Sequence, residues 1–284
     1  MLWKRARRSD NVVSGGSGGG RGGKGLTLGA VVLVVAFGLI TGQDPLQILG
    51  QLAGQLETPT TSNPRTPVAS DEQTDFVRAI LGDTEDTWRQ LFQQAGRQYQ
   101  DPTLVLFNAS VRSACGMASA ASGPFYCPAD RQVYLDVSFF RELAQRYAAA
   151  GDFAQAYVIA HEVGHHVQTL LGVSAKVQAA RQRGERMEGD NGLLVRQELQ
   201  ADCLAGVWAH HAQQRLDWLE AGDLQEALQA ASAIGDDRLQ QQSRGQVMPD
   251  AFTHGTSAQR VRWFKLGFEQ GKLGQCDTFK ARTL

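Results

Sequence analysis

The residues best suited to chemistry are two histidines and a glutamate in the stretch His161-Glu162-Val163-Gly164-His165. They lie inside an apolar segment, FAQAYVIAHEVGHHVQTLLG, whose composition predicts a helix. Residues four apart face the same side of a helix, so His161 and His165 can direct two imidazole nitrogens at one metal ion. Glu162 lies about 100° further round the helix, where its carboxylate can take a proton from a water molecule. This pattern is typical of zinc hydrolases.

Two histidines leave a catalytic zinc ion one protein ligand short of the usual three. A second helical segment, RQELQADCLAGVWA, carries Glu198 and Asp202 four residues apart. Glu198 can supply the third ligand, and Asp202 can accept a hydrogen bond from a liganding histidine, which fixes the tautomer of that imidazole. The alternative is a solvent-exposed acidic pair. Like charges at this spacing destabilise a helix, however, and the flanking residues are mostly apolar.

The predicted helices and strands that must position these residues indicate an α+β fold, in which helices and strands are segregated along the chain. One or two helices are expected over 74–99, followed by strands within 103–113 and 133–137 that suggest an antiparallel hairpin. The later helices are expected at about 139–147, 153–171, 174–187, 193–213, 224–233 and 258–270. The catalytic domain is therefore expected to span 73–284 and to be mainly helical, with a small antiparallel sheet.

Four cysteines fit an oxidising compartment. Cys115 and Cys127 lie close in sequence across an Ala/Ser/Gly-rich stretch, and we expect them to form a disulfide. Cys203 is then expected to pair with Cys276 by elimination. The alternative for Cys203 is a small buried residue of a helix.

The N-terminal region has the composition of a membrane anchor. Residues 1–25 are rich in glycine and contain six basic residues against one acidic residue, so we expect a flexible cytoplasmic tail. Residues 26–42 are apolar and uncharged, close to the about 20 residues that span a bilayer, so they predict a transmembrane helix. Residues 43–72 include a Pro-, Thr- and Ser-rich stretch and predict a flexible linker. A cleaved signal peptide is the alternative.

This topology places the catalytic domain outside the cytoplasmic membrane, in the periplasm or the extracellular space. Outside the basic tail the chain carries a mild excess of acidic residues. A mildly acidic body gives no electrostatic reason to expect nucleic-acid binding.

The motifs HEVGHHVQ and ELQADCLAG resemble those of bacterial neutral zinc metallopeptidases, which are membrane-anchored proteins. The N-terminal LWKRARRSDNV, the stretch SACG…FYCPAD…VYLD and the late THGTSAQRVRWF are also similar, so the resemblance spans almost the whole chain. It implies a zincin-type domain with one zinc ion bound by His161, His165 and Glu198, and with Glu162 as the base. The ExxAD pattern is similar to that of gluzincin-type membrane-associated endopeptidases, which implies that Asp202 supports a ligand.

The resemblance also bears on the remaining histidines. Gluzincins commonly bring a late histidine to the zinc site, where it stabilises the oxyanion of the reaction. His254, in the loop DAFTHGTSAQR, is a candidate for that role, and a structural loop histidine is the alternative. Arg260 is a weaker candidate. His166 must point away from its neighbour His165 and is expected to be no ligand, while the pair at 210–211 suits the end of a helix.

The sequence therefore predicts a membrane-anchored zinc metalloendopeptidase that acts on peptide or protein substrates. A strand within 103–113 is expected to offer an edge to which an extended peptide adds. One alternative is a membrane-anchored zinc-binding scaffold without hydrolase activity, although a structural site has no use for Glu162. Another is a zinc amidase acting on a non-peptide or cell-wall substrate.

Overall fold

The computed structural model describes residues 1–15 and 71–284, which contain eight α-helices and six β-strands. In chain order the helices are α1 Glu72–Gln94, α2 Ser138–Arg146, α3 Asp152–Leu170, α4 Val173–Gln182, α5 Leu193–Leu216, α6 Asp223–Ala233, α7 Asp236–Arg244 and α8 Ser257–Gln270. The strands are β1 Val12–Ser14, β2 Thr103–Phe107, β3 Ser110–Ser113, β4 Gly116–Ser119, β5 Phe125–Cys127 and β6 Gln132–Asp136. The α+β class expected from the sequence is confirmed for these residues.

The predicted transmembrane helix at 26–42 lies outside the described residues, as does nearly all of the predicted linker at 43–72. Within the two described ranges, no helix combines the length and the apolar character needed to cross a bilayer. The described residues on either side of the gap belong to one compact unit. The membrane anchor therefore stays a prediction.

The main sheet is mixed, not antiparallel, which corrects the expectation from the sequence. Its strand order is β1-β2-β6-β5; the first three run parallel, and β5 alone is antiparallel to its neighbour. The hairpin expected between 103–113 and 133–137 is wrong, because the chain turns at Ala109 (φ 67°) and then forms β3, β4 and β5 before it reaches β6. This excursion is long enough to return β6 parallel to β2.

Strand β2 has a paired neighbour on each side, β1 and β6. Strand β3 pairs with β4 in a separate two-stranded sheet. The peptide-binding edge expected within 103–113 is therefore wrong for β2, because both of its edges are already hydrogen-bonded. Strand β5 lies at the edge of the four-stranded sheet opposite to β1.

The helical layer is built on α3, α5, α6 and α8, which pack against one another. Helices α5 and α8 cross at two glycines. A Cβ on Gly206 would lie 2.1 Å from Phe264 O, and one on Gly267 would lie 2.0 Å from Cys203 O. Only glycine permits this approach of the two backbones, and it fixes the position of α5, the helix that carries Glu198.

Helix α7 is absent from the expectations because its sequence, DDRLQQQSR, holds a single large apolar residue and so no apolar periodicity. It matters for the site nonetheless. Asp236, its first residue, accepts hydrogen bonds from the backbone nitrogens of Thr253, His254 and Gly255 at 2.6 to 3.0 Å. The helix start therefore fixes the loop that carries His254.

Both expected disulfides are present, Cys115–Cys127 and Cys203–Cys276. The first ties the turn between β3 and β4 to the end of β5. The second ties α5 to the C-terminal segment Leu273–Cys276. Cys203 is therefore not merely a small buried residue of the helix.

Candidate metal centre

Helix α3 carries His161, Glu162 and His165 through the interior of the domain. It begins after Gly151, whose φ of 120° suits glycine, and most of its length is buried. His161 is 6% exposed and Glu162 is 8% exposed. A buried imidazole such as that of His161 needs polar partners, and the facing helix α5 supplies them.

Helix α5 lies close to α3 because of Gly164, which falls between the two histidines. A Cβ at this position would lie 3.0 Å from Ala201 O. The approach brings the Glu198 carboxylate between the two imidazoles, with Oε2 at 3.1 Å from His161 Nε2 and Oε1 at 3.3 Å from His165 Nε2. One ligand atom from each of the three residues lies within 4.8 Å of the others.

Asp202, one helical turn after Glu198, holds the outer nitrogen of the first histidine. His161 Nδ1 donates to Asp202 Oδ1 at 2.8 Å, and the carboxylate also accepts from Tyr157 OH at 2.5 Å. Arg260 of α8 completes the group with two hydrogen bonds to Asp202, at 2.9 and 3.0 Å. Asp202 is 0% exposed and Arg260 is 2% exposed, so this is a buried and fully paired ion pair.

The second histidine is held by Gln168, which lies three residues later on the same helix. His165 Nδ1 donates to Gln168 Oε1 at 2.9 Å. The amide nitrogen of Gln168 donates to Gln197 O at 2.7 Å and to Gln200 Oε1 at 3.1 Å, both on α5. Gln168 therefore links the orientation of His165 to the part of α5 that presents Glu198.

The charges of the site shift the pKa values of its members. Burial works against charge on His161, but the carboxylates of Asp202 and Glu198 outweigh it and raise the pKa to about 9. Burial is likewise outweighed at His165, whose pKa is raised by Glu198. Despite its own burial, Glu198 has a pKa well below the usual range because the two imidazoles face it. The pKa of Asp202 is lowered against burial chiefly by Arg260.

These residues fit a zinc ion. Two imidazole nitrogens and one carboxylate form the His₂Glu donor set of catalytic zinc sites. Each imidazole has its Nδ1 engaged by a hydrogen-bond acceptor, so both Nε2 atoms point at the same place. A divalent cation can replace the protons that the raised histidine pKa values favour.

The site opens into a cleft of about 850 Å³. His161, Glu162, His165 and Glu198 all line it, and so does His254. His254 is half exposed, and its Nδ1 lies 2.8 Å from Thr253 Oγ1. The structure therefore brings every predicted member of the site to one cleft except Asp202, which lies behind His161.

The remaining histidines lie elsewhere. Burial lowers the pKa of His166 to about 4, and its ring contacts Tyr126 OH at 3.1 Å and Gln100 O at 2.6 Å. His210 and His211 donate to carbonyl oxygens at the end of α8.

A model of one protein family, described as “Putative neutral zinc metallopeptidase”, matches residues 1–279. The chain belongs to this family. It is 50% identical to the uncharacterized protein YpfJ of Escherichia coli K12, over 98% of this chain and 99% of that protein. It is 46% identical to the uncharacterized protein Mb2605 of Mycobacterium bovis, over 66% of this chain and 65% of that protein. No solved structure matches the chain.

Family membership supports a zinc-dependent peptidase. The geometry adds two residues that the sequence did not predict, Gln168 and Tyr157, and it gives Arg260 a contact with Asp202. Gln168 could have been predicted from the sequence, because it lies three residues after His165 on the same helix face. Tyr157 lies four residues before His161, so it shares the helix face of that histidine. Arg260 is distant in sequence, and only the crossing of α5 and α8 brings it to Asp202.

Proposed function

We propose that the chain is a metalloendopeptidase in which His161, His165 and Glu198 hold one zinc ion and Glu162 is the general base. The observation that carries this proposal is the convergence of the two Nε2 atoms and the Glu198 carboxylate in one cleft. A site that only held zinc for structure would not need a buried glutamate directly beside a ligand. Glu162 is therefore the residue that favours an enzyme over a scaffold.

A zinc ion held by His161, His165 and Glu198 would supply polarisation of the substrate carbonyl and would lower the pKa of a water molecule toward about 7. Glu162 takes a proton from this water as its oxygen adds to the carbonyl carbon. The same carboxyl group then delivers the proton to the amide nitrogen as the C–N bond breaks, which yields a carboxylic acid and an amine. Asp202 and Gln168 keep both imidazoles oriented throughout.

His254 is proposed to stabilise the negative charge that develops on the substrate oxygen. Its ring lines the cleft, and its Nδ1 lies 3.3 Å from Asp236 Oδ1, a carboxylate that favours the protonated ring. A protonated ring is a hydrogen-bond donor and a cation, which are the properties that this role requires.

The substrate is proposed to bind as an extended strand along β5, the sheet edge that contributes Phe125 and Tyr126 to the cleft. Backbone hydrogen bonds to this edge would hold any peptide sequence. Peptides methylated on the backbone nitrogens near the scissile bond are expected to be cleaved poorly. Normal cleavage of such peptides would count against the strand-addition mode.

We also propose that the catalytic domain lies outside the cytoplasm and that residues 26–42 attach the protein to the membrane. Two disulfides in the described domain support an oxidising compartment.

The experiment that tests the proposed function compares the full-length protein with a Glu162→Gln variant and with Glu185→Gln, a matched acid-to-amide change at an exposed site. We expect Glu162→Gln to retain zinc and to lose cleavage of an unfolded protein by about 10²–10⁴-fold. Glu185→Gln is expected to behave as wild type. If all three proteins bind zinc and none cleaves a peptide or protein, a scaffold or a non-peptide amidase becomes the better description.

A further inference from the structure

Residues 1–15 pack along helix α1 and strand β2 of the catalytic domain. Strand β1 adds to the main sheet in parallel, with Val12 opposite Leu104. The pairing continues beyond the strand, where the backbone nitrogen of Gly15 donates to Leu106 O at 2.7 Å. The N-terminal segment therefore supplies β1, an edge strand of the four-stranded sheet. The other three strands of that sheet come from residues 103–136.

A buried carboxylate on α1 is satisfied by this segment. Glu85 has a side chain that is 1% exposed. Within the described residues its hydrogen-bond donors are Arg7 Nη2 at 2.6 Å, Ser9 Oγ at 2.5 Å and Asn11 Nδ2 at 2.8 Å. Three hydrogen-bond donors from one short segment on one carboxylate are specific recognition, because a charge enclosed in protein needs such partners. The other ion pair of Glu85, with Arg89 of α1, is longer, at 3.7 Å.

A glycine on the same helix provides independent evidence. Gly82 lies in the interior of α1, where glycine is unfavourable relative to alanine. A Cβ at this position would lie 2.5 Å from Arg7 O and 3.0 Å from Ser9 N, and its three nearest atoms all belong to the N-terminal segment. Glycine at position 82 is unfavourable for the helix itself, and the close approach of the docked segment is what requires it.

We propose that residues 1–15 are an integral part of the catalytic domain, and that the two occupy the same side of any membrane that the protein meets. A single bilayer crossing at 26–42 would put residues 1–15 and 71–284 on opposite faces. The contacts of Glu85 and Gly82 require them to be together. Residues 1–15 are then a docked segment and not the free cytoplasmic tail expected from the sequence. Their docking does not depend on the proposed enzymatic activity.

The docked contact predicts the sign of a stability change in the full-length protein. If residues 1–15 are docked, Gly82→Ala forces a methyl group into their backbone and lowers Tm by several degrees. If the segment is free, the same change only improves the helix, and Tm rises or stays constant. Gly274→Ala is the matched control, because its Cβ would meet nothing within 4 Å. An unchanged or raised Tm for Gly82→Ala would overturn the docking.

The sidedness is tested by labelling two exposed positions in cells that express the full-length protein. Asp10 and Asp250 have side chains that are 96% and 94% exposed. Asp10→Cys and Asp250→Cys variants are treated with a membrane-impermeant maleimide after the outer membrane is permeabilised. We expect both to react. If neither reacts before lysis, the docking still stands and the external location of the domain fails. Reaction of Asp250→Cys alone would overturn the proposal.

Discussion

Replacing Gly164 by alanine is expected to weaken zinc binding while the metal-free protein keeps most of its stability. The added Cβ would lie 3.0 Å from Ala201 O and 3.2 Å from Ala201 Cα. Favourable contacts between such atoms need about 3.5 Å, so α5 must withdraw from α3 by roughly 0.3–0.5 Å at this point. Glu198 lies on α5 and the two histidines lie on α3, so the withdrawal opens the site.

The effects on stability and on zinc affinity have different physical origins. Overpacking by one methyl group costs about 1–3 kcal/mol, but alanine regains up to about 1 kcal/mol of helix propensity. The net loss of folding free energy is therefore about 0–2 kcal/mol. Metal–ligand distances hold to within about 0.2 Å, so the same withdrawal is large for Glu198 as a ligand. We expect zinc affinity to fall about tenfold or more, which is about 1.4 kcal/mol.

Zinc affinity is measured by competition with a chromophoric chelator, and stability by urea unfolding of the metal-free protein. Gly274→Ala again serves as the control and is expected to match wild type in both assays, because its Cβ has open space around it. Wild-type zinc affinity in Gly164→Ala would refute the claim that the contact between Gly164 and Ala201 sets the position of Glu198.

Two further predictions concern other neighbours of the site. Gln168→Leu is expected to lower zinc affinity by about 10–100-fold, because it leaves His165 Nδ1 without its acceptor; Gln168→Glu, which retains an acceptor, is expected to recover most of the affinity. His166 has a pKa of about 4, below its unfolded value of about 6.5, so its contribution to stability is complete above pH 6.5 and is lost as the pH falls towards 4. Urea unfolding at pH 7.5 and 4.5 should show a loss on the order of 3 kcal/mol that His166→Gln lacks; equal losses in both proteins would contradict this account.

The grouping of the candidate site residues on two helix faces was predictable because helical spacing is local. Positions 161 and 165 share a face wherever the helix lies, and the same holds for Glu198 and Asp202. What spacing does not contain is the relative position of the two helices. That depends on Gly164 against Ala201, a contact between residues far apart in sequence.

The same distinction explains what the sequence failed to predict about the fold. The parallel pairing of β2 with β6 depends on the path of the chain through β3, β4 and β5, which no local pattern specifies. Strand β1 comes from a segment whose charge suggested a cytoplasmic tail, although Arg7 forms an ion pair with buried Glu85. The burial of Arg260 could not be predicted, because a buried arginine is rare unless it is paired. Its partner Asp202 lies on another helix.

The measurement that tests the central claim most directly is zinc titration of the metal-free, full-length protein, with cleavage of an unfolded protein as the readout. We predict that activity returns in proportion to added zinc and stops rising at one equivalent. Glu198→Gln is expected to need far more zinc for any activity, because one of its three ligands has lost its charge. Activity that persists without metal, or that responds to zinc equally in wild type and Glu198→Gln, would contradict the assignment of His161, His165 and Glu198 as a catalytic zinc site.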